Sequence, residues 1–568
     1  EFSAADVIAE GDFSTSYVEH AYIEPEAGYA VRVGDRLEIY AGTQAPYMDR
    51  DDMARIMGGS VEDIRIVPIT AGGGFGSKLD ISVQPYIALA AWYTHRPARI
   101  VYSRTESMQS TTKRHPAEIK AKIGATKSGK LTAMDFQGDF NTGAYASWGP
   151  TVANRVPVHA SGPYYFPAYR AKSRGIHTNG PSSGAFRGFG IPQTAFAQET
   201  LFDELANSIG MDRLEFRLNN ALENGVPTIT GQIMESGVGF KKCLEALKTP
   251  WQRANRDAEN WNAENPNSPL RRGVGVAGMW YGCGNTSLPN PSTIKVGLRK
   301  NGRAVLFQGA VDIGQGSNTI MAQICADASG LSVDCFDLVY GDTDLTADAG
   351  KTSASRQTVV SGKASYLAGL DLRANLQRMT NTEDVSDLSA LEEDVRGFVA
   401  YGEGTFDPPT SPLDENGQGI PYAVYGYGAH MVELSVDTKL GCVDLIKITA
   451  SHDVGRAINP MLVEGQIEGG IAQGIGLALM EEYIPGRTEN FHDYLIPTIG
   501  DVPEIECILI EEADPHGPYG AKGIGEQALI PTAPAIMNAI THATCARIHT
   551  LPATPARVVE AIRKSEDV

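Results

Sequence analysis

The sequence predicts a mixed α+β protein built from two large domains. It has 568 residues, 42% of them hydrophobic, which is enough to bury more than one core. Short strand-like and helical patterns alternate without the regular rhythm of a doubly wound sheet. A polar segment at 244–272, where Asn, Asp, Pro and Arg dominate, predicts a linker between a first domain at 1–243 and a second at 273–568.

Hydrophobic periodicity predicts the individual elements. Strands are predicted over 37–42, 64–70, 304–309 and 336–340. Helices are predicted over 50–57, 193–210, 463–481, 531–544 and 555–564. The acidic stretch at 383–393 is expected to be a solvated surface excursion.

Charge and cysteine usage exclude several classes of protein. The 48 basic and 68 acidic residues give a net charge of -20, which argues against nucleic acid or an anionic membrane as the main partner. No apolar run approaches the ~18 residues of a membrane span. The seven cysteines form no C-x-x-C pair, so zinc-ribbon and ferredoxin-type cluster patterns are not expected in this chain. Scattered cysteines favour a reducing compartment, and we expect a cytoplasmic protein.

Three short motifs resemble known signatures but lack the required context. The G-x-G-x-x-G at 273–278 follows a polar segment rather than a strand. Residues 71–78 nearly spell a phosphate loop, but Ser77 stands where a glycine is required. The G-x-S-x-G at 180–184 has a proline directly before Ser182, which fits a nucleophile elbow poorly, although a serine hydrolase stays open as an alternative.

Glycine-rich loops carrying amide or hydroxyl side chains are spread over the whole chain. They lie at 72–78, 184–190, 314–317, 352–357 and 465–466. Such loops expose backbone N–H groups that suit oxyanions or phosphates, and glutamines add neutral donors. Five of them without a nucleotide fold indicate a large polar cofactor held by loops from both halves.

Six motifs occur in a familiar order over about 450 residues. They are Gly-Gly-Gly-Phe-Gly (72–76), Gly-Ala-Phe-Arg-Gly-Phe-Gly (184–190), Gly-Gln-Gly (314–316), Ser-Ala-Ser-Arg-Gln (353–357), Gly-Gln-Ile-Glu-Gly (465–469) and Gly-Ala-Lys-Gly-Ile-Gly-Glu (520–526). This set resembles the molybdenum hydroxylases, the xanthine dehydrogenase and aldehyde oxidoreductase family. The resemblance is to the molybdopterin-binding large subunit and covers essentially the entire chain.

The resemblance implies a fold, a cofactor and partners. We expect two large cofactor-binding domains, with the family's smaller N-terminal α/β domain missing or on another chain. The implied cofactor is a molybdenum pyranopterin, as molybdopterin or its cytosine dinucleotide form, with oxo, sulfido and hydroxo ligands and no side-chain ligand. [2Fe-2S] and FAD are expected on partner chains or an absent segment. The chain would then form a hetero-oligomer, possibly dimerised, with an iron–sulfur subunit and a flavin subunit.

Motif matches also assign site residues. Glu526 matches the family's general base, which takes a proton from the metal's hydroxyl, so that water supplies the inserted oxygen. Gln44 matches the glutamine that bonds the apical oxo group. The full set matched to cofactor binding is Gln44, Gly74, Phe75, Gly76, Arg187, Gly314, Gln315, Gly316, Ser355, Arg356, Gln357, Gln466 and Gly525.

Three further positions match the substrate pocket. Phe189 matches an aromatic that meets the substrate ring edge-on, and Arg155 matches by spacing an arginine that orients purines. Leu79 stands where purine-oxidising members have a glutamate, and the 184–190 loop lacks the cysteine of the carbon monoxide dehydrogenases. We therefore expect an enzyme for an aldehyde or an electron-poor N-heterocycle. A xanthine or hypoxanthine dehydrogenase subunit and a cofactor-free scaffold subunit stay open as alternatives.

Overall fold

A computed structural model describes residues 2–380, 388 and 391–566. In the first part of the chain the elements are β1 (Val7–Thr15), β2 (Ala27–Val33), β3 (Arg36–Ala41), α1 (Pro46–Met57), β4 (Ile64–Pro68), α2 (Gln84–Thr94), β5 (Ala98–Val101), α3 (Arg104–Ser110), β6 (Ala117–Ala125), β7 (Leu131–Gly143), α4 (Gly149–His159), β8 (Ala168–His177), α5 (Ile191–Ser208), α6 (Arg213–Asn220), α7 (Phe240–Ala246) and α8 (Lys248–Glu264). The acidic stretch at 383–393 lies mostly outside the described residues.

The second part continues the alternation of strands and helices. Its elements are β9 (Leu270–Gly282), β10 (Ser292–Leu298), β11 (Ala304–Gln308), α9 (Ser317–Ser329), β12 (Phe336–Tyr340), α10 (Gly362–Thr380), β13 (Ala400–Phe406), β14 (Tyr425–Asp437), β15 (Val443–Asp453), α11 (Pro460–Leu479), β16 (Glu504–Ile510), α12 (Thr532–Thr544), β17 (Thr550–Leu551) and α13 (Pro555–Glu566). The predicted strands correspond to β3, β4, β11 and β12, and the predicted helices to α1, α5, α11, α12 and α13. The mixed α+β class is confirmed.

The segment predicted as a linker is instead largely helical. Within 244–272, α8 packs on β9 and buries Trp251, Ala254 and Ala258. The segment is polar because only one face of the helix is buried. Its many Asn and Asp residues hid the helical pattern in the sequence. The neighbouring G-x-G-x-x-G lies inside β9, where a side chain at Gly273 or Gly275 would overlap backbone carbonyl oxygens of α12. These glycines therefore allow close helix–sheet packing.

The described strands form four sheets. Their orders are β17-β1-β6-β7-β8, β4-β3-β2-β5, β12-β11-β10-β13 and β16-β15-β14-β9. The first sheet takes strands from both ends of the described chain, because Ser14 and Thr15 of β1 pair in parallel with Thr550 and Leu551 of β17. The predicted site loops at 72–78, 184–190, 314–316 and 352–357 lie between strands and helices, whereas residues 465–466, which were also predicted as a loop, lie inside α11.

One hydrophobic core extends across both predicted domains. It joins Phe196 and Phe202 of α5 to Ile536 and Ile540 of α12, and it continues into the β9 and β14 sheet. Smaller cores lie under the β2 sheet and under the β10 sheet. None of the described helices has the length and apolar character required to cross a bilayer. The two halves are thus packed as one body at the place where the site loops meet.

Candidate functional site

Loops from both halves of the chain meet around Arg187. The backbone N–H of Arg187 donates to the carbonyl oxygen of Phe75 at 2.8 Å, which joins the 184–190 and 72–78 loops. Its guanidinium donates from Nη2 to the carbonyl oxygen of Gln466 at 2.9 Å, from Nη1 to Gln473 Oε1 at 3.1 Å, and from Nε to the carbonyl oxygen of Gly525. Burial lowers the pKa of Arg187 to about 10, so the side chain stays charged at neutral pH. Four of the predicted segments are therefore tied together by one residue.

The carboxylate of Glu526 lies at this junction and is held by backbone groups. Oε1 accepts from the N–H of Ala354 at 3.0 Å, and Oε2 accepts from the N–H of Gly188. The N–H of Glu526 itself donates to Ser355 Oγ at 2.8 Å. The residue is only 9% exposed. Its orientation is thus set by loops from three distant stretches of sequence.

Gln44 connects two of the loops through its side-chain amide. Oε1 accepts from the N–H of Gly76 at 3.0 Å, and Nε2 donates to the carbonyl oxygen of Thr352 at 2.7 Å. A side chain on Gly74 would come within 2.5 Å of Gln44 Oε1. Glycine at position 74 therefore lets Gln44 reach across to the 352–357 loop.

The site loops hold residues in the left-handed backbone region, which only glycine adopts without strain. Phe75, Phe189, Ala354 and Ser355 have φ values of 52°, 50°, 54° and 52°. Each such residue costs of order 1–3 kcal/mol and persists only where the surroundings fix it. Strain of this kind concentrates at functional sites, which supports the assignment of these loops.

The 352–357 loop is held from beneath by its own side chains. Arg356 is fully buried and donates from Nη2 to the carbonyl oxygens of Asn290 and Pro291 at 3.0 and 2.9 Å. Gln357 donates from Nε2 to Thr352 Oγ1 at 3.0 Å. These predicted cofactor residues thus shape the loop, and its backbone and Ser355 are the groups turned toward Glu526.

The loop at 314–316 is self-contained. Gln315 accepts at Oε1 from the N–H of Ile313 at 2.6 Å and donates from Nε2 to Ser317 Oγ at 2.9 Å. Its neighbour Gly316 lies against Leu462 at the start of α11, the helix that carries Gln466. The loop therefore borders the Arg187 junction through α11 and makes no hydrogen bond to Glu526.

Two of the predicted substrate residues, Phe189 and Arg155, are buried close to each other. Phe189 is 6% exposed, and its ring lies 6.0 Å from the Arg155 guanidinium. Arg155 donates from Nη1 to the carbonyl oxygen of Gly284 at 3.1 Å and stacks on Tyr281 at 4.1 Å. Leu79 has no exposed surface and belongs to the main core. Phe189 and Tyr281 thus place aromatic rings around the Arg155 guanidinium.

Three supporting residues were not found by sequence reasoning. Gln527 accepts at Oε1 from the N–H of Glu526 at 3.1 Å and from Ser355 Oγ at 2.9 Å. The sequence offered one signal for Gln527, namely its position directly after Glu526. Gln473 lies seven residues after Gln466, on the same face of α11, a spacing that could have been noticed. Arg114 had no signal, because nothing in its local sequence shows that it is buried beside the 184–190 loop.

The structure gives little support to the serine hydrolase alternative. Among the described residues, no hydrogen bond joins the Ser182 hydroxyl to a histidine, as a serine hydrolase would need. A cavity of about 720 Å³ lies between residues 230–236, 418–420 and 514–516, and none of the predicted site residues lines it. The candidate site is therefore defined by the convergence of the loops.

Two glycines of α11 leave open space next to Arg187 and Gln466. Within the described part of the chain, no group of three or more His, Cys, Asp or Glu residues is placed to hold a metal. Gly465 and Gly469, one turn apart on α11, have no atom closer than 4.0 Å to where a side chain would begin. The space beside them is bordered by Arg187 and Gln466, whose polar groups can hold a cofactor by hydrogen bonds.

Comparison with known proteins identifies the family. Residues 1–221 and 245–503 match two molybdopterin cofactor-binding domain models. The xanthine dehydrogenase molybdenum-binding subunit of Escherichia coli O157:H7 is 32% identical over 595 residues, covering 98% of this chain and 77% of the relative. The nicotinate dehydrogenase large molybdopterin subunit of Eubacterium barkeri is 41% identical over 248 residues, 44% of this chain and 58% of the relative.

A solved structure shows the same fold. The aldehyde oxidoreductase from Desulfovibrio desulfuricans superposes with a TM-score of 0.93 at 30% identity, covering 98% of this chain. This chain spans 61% of the length of that one. The chain belongs to the molybdenum hydroxylases, a family of oxidoreductases, and corresponds to their molybdopterin-binding large subunit.

Proposed function

We propose that the chain is the catalytic subunit of a molybdenum hydroxylase that oxidises an aldehyde or an electron-poor N-heterocycle. The observation that carries this proposal is the Glu526 carboxylate, held by the N–H groups of Gly188 and Ala354 where loops from both halves converge. In the overall reaction a substrate C–H bond is replaced by C–OH, water supplies the oxygen, and two electrons and two protons are released. The bound molybdenum pterin supplies the two-electron acceptor.

Glu526 is suited to act as the general base. Each carboxylate oxygen accepts one backbone hydrogen bond and keeps a second lone pair, which can receive a proton. The two backbone donors prevent the carboxylate from rotating, so that lone pair keeps a fixed direction. A positioned general base of this kind contributes about 10²–10⁴ to the rate.

Polar groups around Glu526 would hold the cofactor. Gln44 and Arg187 border the same junction, and Gln466 lies beside the open positions on α11. The remaining hydrogen-bonding capacity of these side chains, together with the strained loop backbones, provides neutral donors and one buried positive charge. This set suits an anionic, oxygen-rich group such as a pterin with its phosphate.

The surroundings of Phe189 favour apolar or weakly polar substrates. Leu79 contributes no charge, and the Nη1 group of Arg155 already donates a hydrogen bond to the carbonyl oxygen of Gly284. The names of the similar proteins point to N-heterocycles, in xanthine and nicotinate dehydrogenases, and to aldehydes. These observations support the two substrate classes that we propose.

Electrons must leave the subunit after each turnover. We infer that an iron–sulfur subunit and a flavin subunit accept them, so that the working enzyme is a hetero-oligomer. Support comes from the similar proteins, which are themselves named as subunits. The reaction therefore has to be measured on the assembled complex.

The test is Glu526→Gln in the purified complex, assayed with a dye acceptor. We expect turnover to fall by about 10²–10⁴ while the molybdenum content stays at about one atom per chain, because the amide keeps the shape but cannot take the proton. Glu10→Gln, an exposed residue on β1, is the control and should leave both values unchanged. Near-normal turnover in the Glu526 variant would refute the base, and absence of molybdenum from the unmutated complex would favour the scaffold alternative.

A further inference from the structure

The peptide group between Arg187 and Gly188 is hydrogen-bonded on both sides. Its carbonyl oxygen accepts from Nη2 of Arg114 at 2.8 Å, and its N–H donates to Oε2 of Glu526. A guanidinium and a carboxylate are therefore connected through one amide. Hydrogen bonds in such a chain polarise one another, and charged end groups strengthen them.

We propose that Arg114 is a positioning residue for Glu526, acting through the Arg187–Gly188 peptide. By pulling electron density toward the carbonyl oxygen, Arg114 makes the N–H of Gly188 a stronger donor to Glu526. The same contact fixes the direction of that N–H. The inference rests on the proposed function in one respect only, namely that Glu526 is the base.

The geometry commits Arg114 to this contact. The side chain is 2% exposed, and its guanidinium lies 3.9 Å from the ring centre of Phe186 in the same loop. Among the described residues, the bond to the Arg187 carbonyl oxygen is its one side-chain hydrogen bond, since Nε and Nη1 are buried without a partner. A buried charge is costly to retain unless it is paired and hydrogen-bonded, so this one hydrogen bond is important for Arg114.

Three other ionisable side chains face Arg114, namely Glu481, which acts on it most strongly, Glu526 and Tyr494. Burial raises the pKa of Glu481 to about 8, so this carboxyl is largely protonated at neutral pH, and burial keeps Tyr494 protonated by raising its pKa. His20 and His115 are neutral because burial lowers the pKa of each to about 3; the charges of Lys113 and Arg114 add to this effect at His20, and that of Arg114 adds to it at His115. Glu526 is the carboxylate that is joined to Arg114 by hydrogen bonds through the Arg187–Gly188 peptide.

Arg114→Met, made in the assembled complex, tests the proposal by two readouts. The acid limb of the pH–rate profile should move up by about one unit, because a nearby positive charge is lost. Hydrogen exchange in peptides covering 184–190 should become several-fold faster, because the bond from Gly188 weakens. Arg213→Met is the matched control: Arg213 is also buried and donates to a backbone carbonyl, that of Val274, at 2.8 Å. It should change neither readout.

Arg114→Lys keeps the charge and is measured if the methionine variant does not fold; it should give a smaller shift of the acid limb. An unmoved acid limb together with unchanged exchange at 184–190 would overturn the proposal. The exchange measurement does not depend on turnover. If Glu526→Gln proved active while Arg114→Met still accelerated exchange, the proposed base would fail and the structural link would stand.

Discussion

At the scale of single residues, side chains near the site divide into those that face Glu526 and those that shape the loops. Arg356 and Arg155 were both assigned from motif position or spacing, yet each guanidinium donates to backbone carbonyl oxygens. A motif records that an arginine is present and cannot show whether its side chain or its backbone faces a ligand. Their direct contact with cofactor or substrate stays a prediction.

The aliphatic residue at position 79 leads to a prediction about substrates. We expect an aromatic aldehyde or a simple azaheterocycle to exceed xanthine in kcat/KM by about tenfold or more, because no carboxylate stands at position 79 to hold a purine. Comparison of kcat/KM with a dye acceptor measures this. Leu79→Met, which conserves volume, should keep the preference. A higher value for xanthine would show that the purine alternative is correct.

Glu481 leads to a prediction about pH. Burial raises its pKa to about 8, whereas the unfolded chain loses this proton near the reference value of about 4.3. Its contribution to stability is therefore fully present below about pH 4.3 and is lost as the pH rises toward 8. We expect Glu481→Gln to reduce the fall in melting temperature between pH 5.5 and 8.5. Glu489→Gln, an exposed neighbour, should leave that fall unchanged; an equal fall in the Glu481 variant would contradict the prediction.

At the scale of loops and strands, glycines set how closely the site loops approach. A side chain on Gly523 would overlap the carbonyl oxygen of Ser355, which is backbone and cannot turn aside. We expect Gly523→Ala to push the 520–526 and 352–357 loops apart, weaken the bond from Ala354 to Glu526, and lower turnover by tenfold or more together with the molybdenum content. Activity and metal analysis check this.

Gly500→Ala is the control for that substitution. Gly500 is exposed, and the atom nearest to an added side chain is 3.7 Å away. It should leave turnover and molybdenum content unchanged. If Gly523→Ala behaved in the same way, close approach of the two loops would not be required for the site.

Elements with a clear hydrophobic period were predictable, and those defined by packing were not. Helix α5 shows apolar residues at helical spacing and lies within two residues of its predicted bounds. Helix α8 was missed because its buried face is small among many polar residues. The motif order predicted which loops belong to the site, but the bonds from Gln44 to Thr352 and from Arg187 to Gln473 depend on tertiary contacts.

At the scale of the whole molecule, the shared core and the pairing of β1 with β17 predict that the halves depend on each other. Ending the chain after residue 547 would remove β17 and α13 and, with them, the buried side chains of Leu551, Val558 and Ile562 from the shared core. We expect a melting temperature at least several degrees lower, or no folded protein, as measured by thermal unfolding. Removing only residues 567–568 is the control. An unchanged melting temperature after the longer truncation would contradict the shared core.

The distance along the chain between the two partners of that strand pair also constrains synthesis in the cell. Residues 550 and 551 are synthesised more than five hundred positions after residues 14 and 15. While the residues between them are made, the outer edge of β1 therefore has no partner, and an unpaired edge invites association with other chains. Nascent copies on one messenger would need a chaperone, or an early ligand, to stay apart until the closing strand emerges.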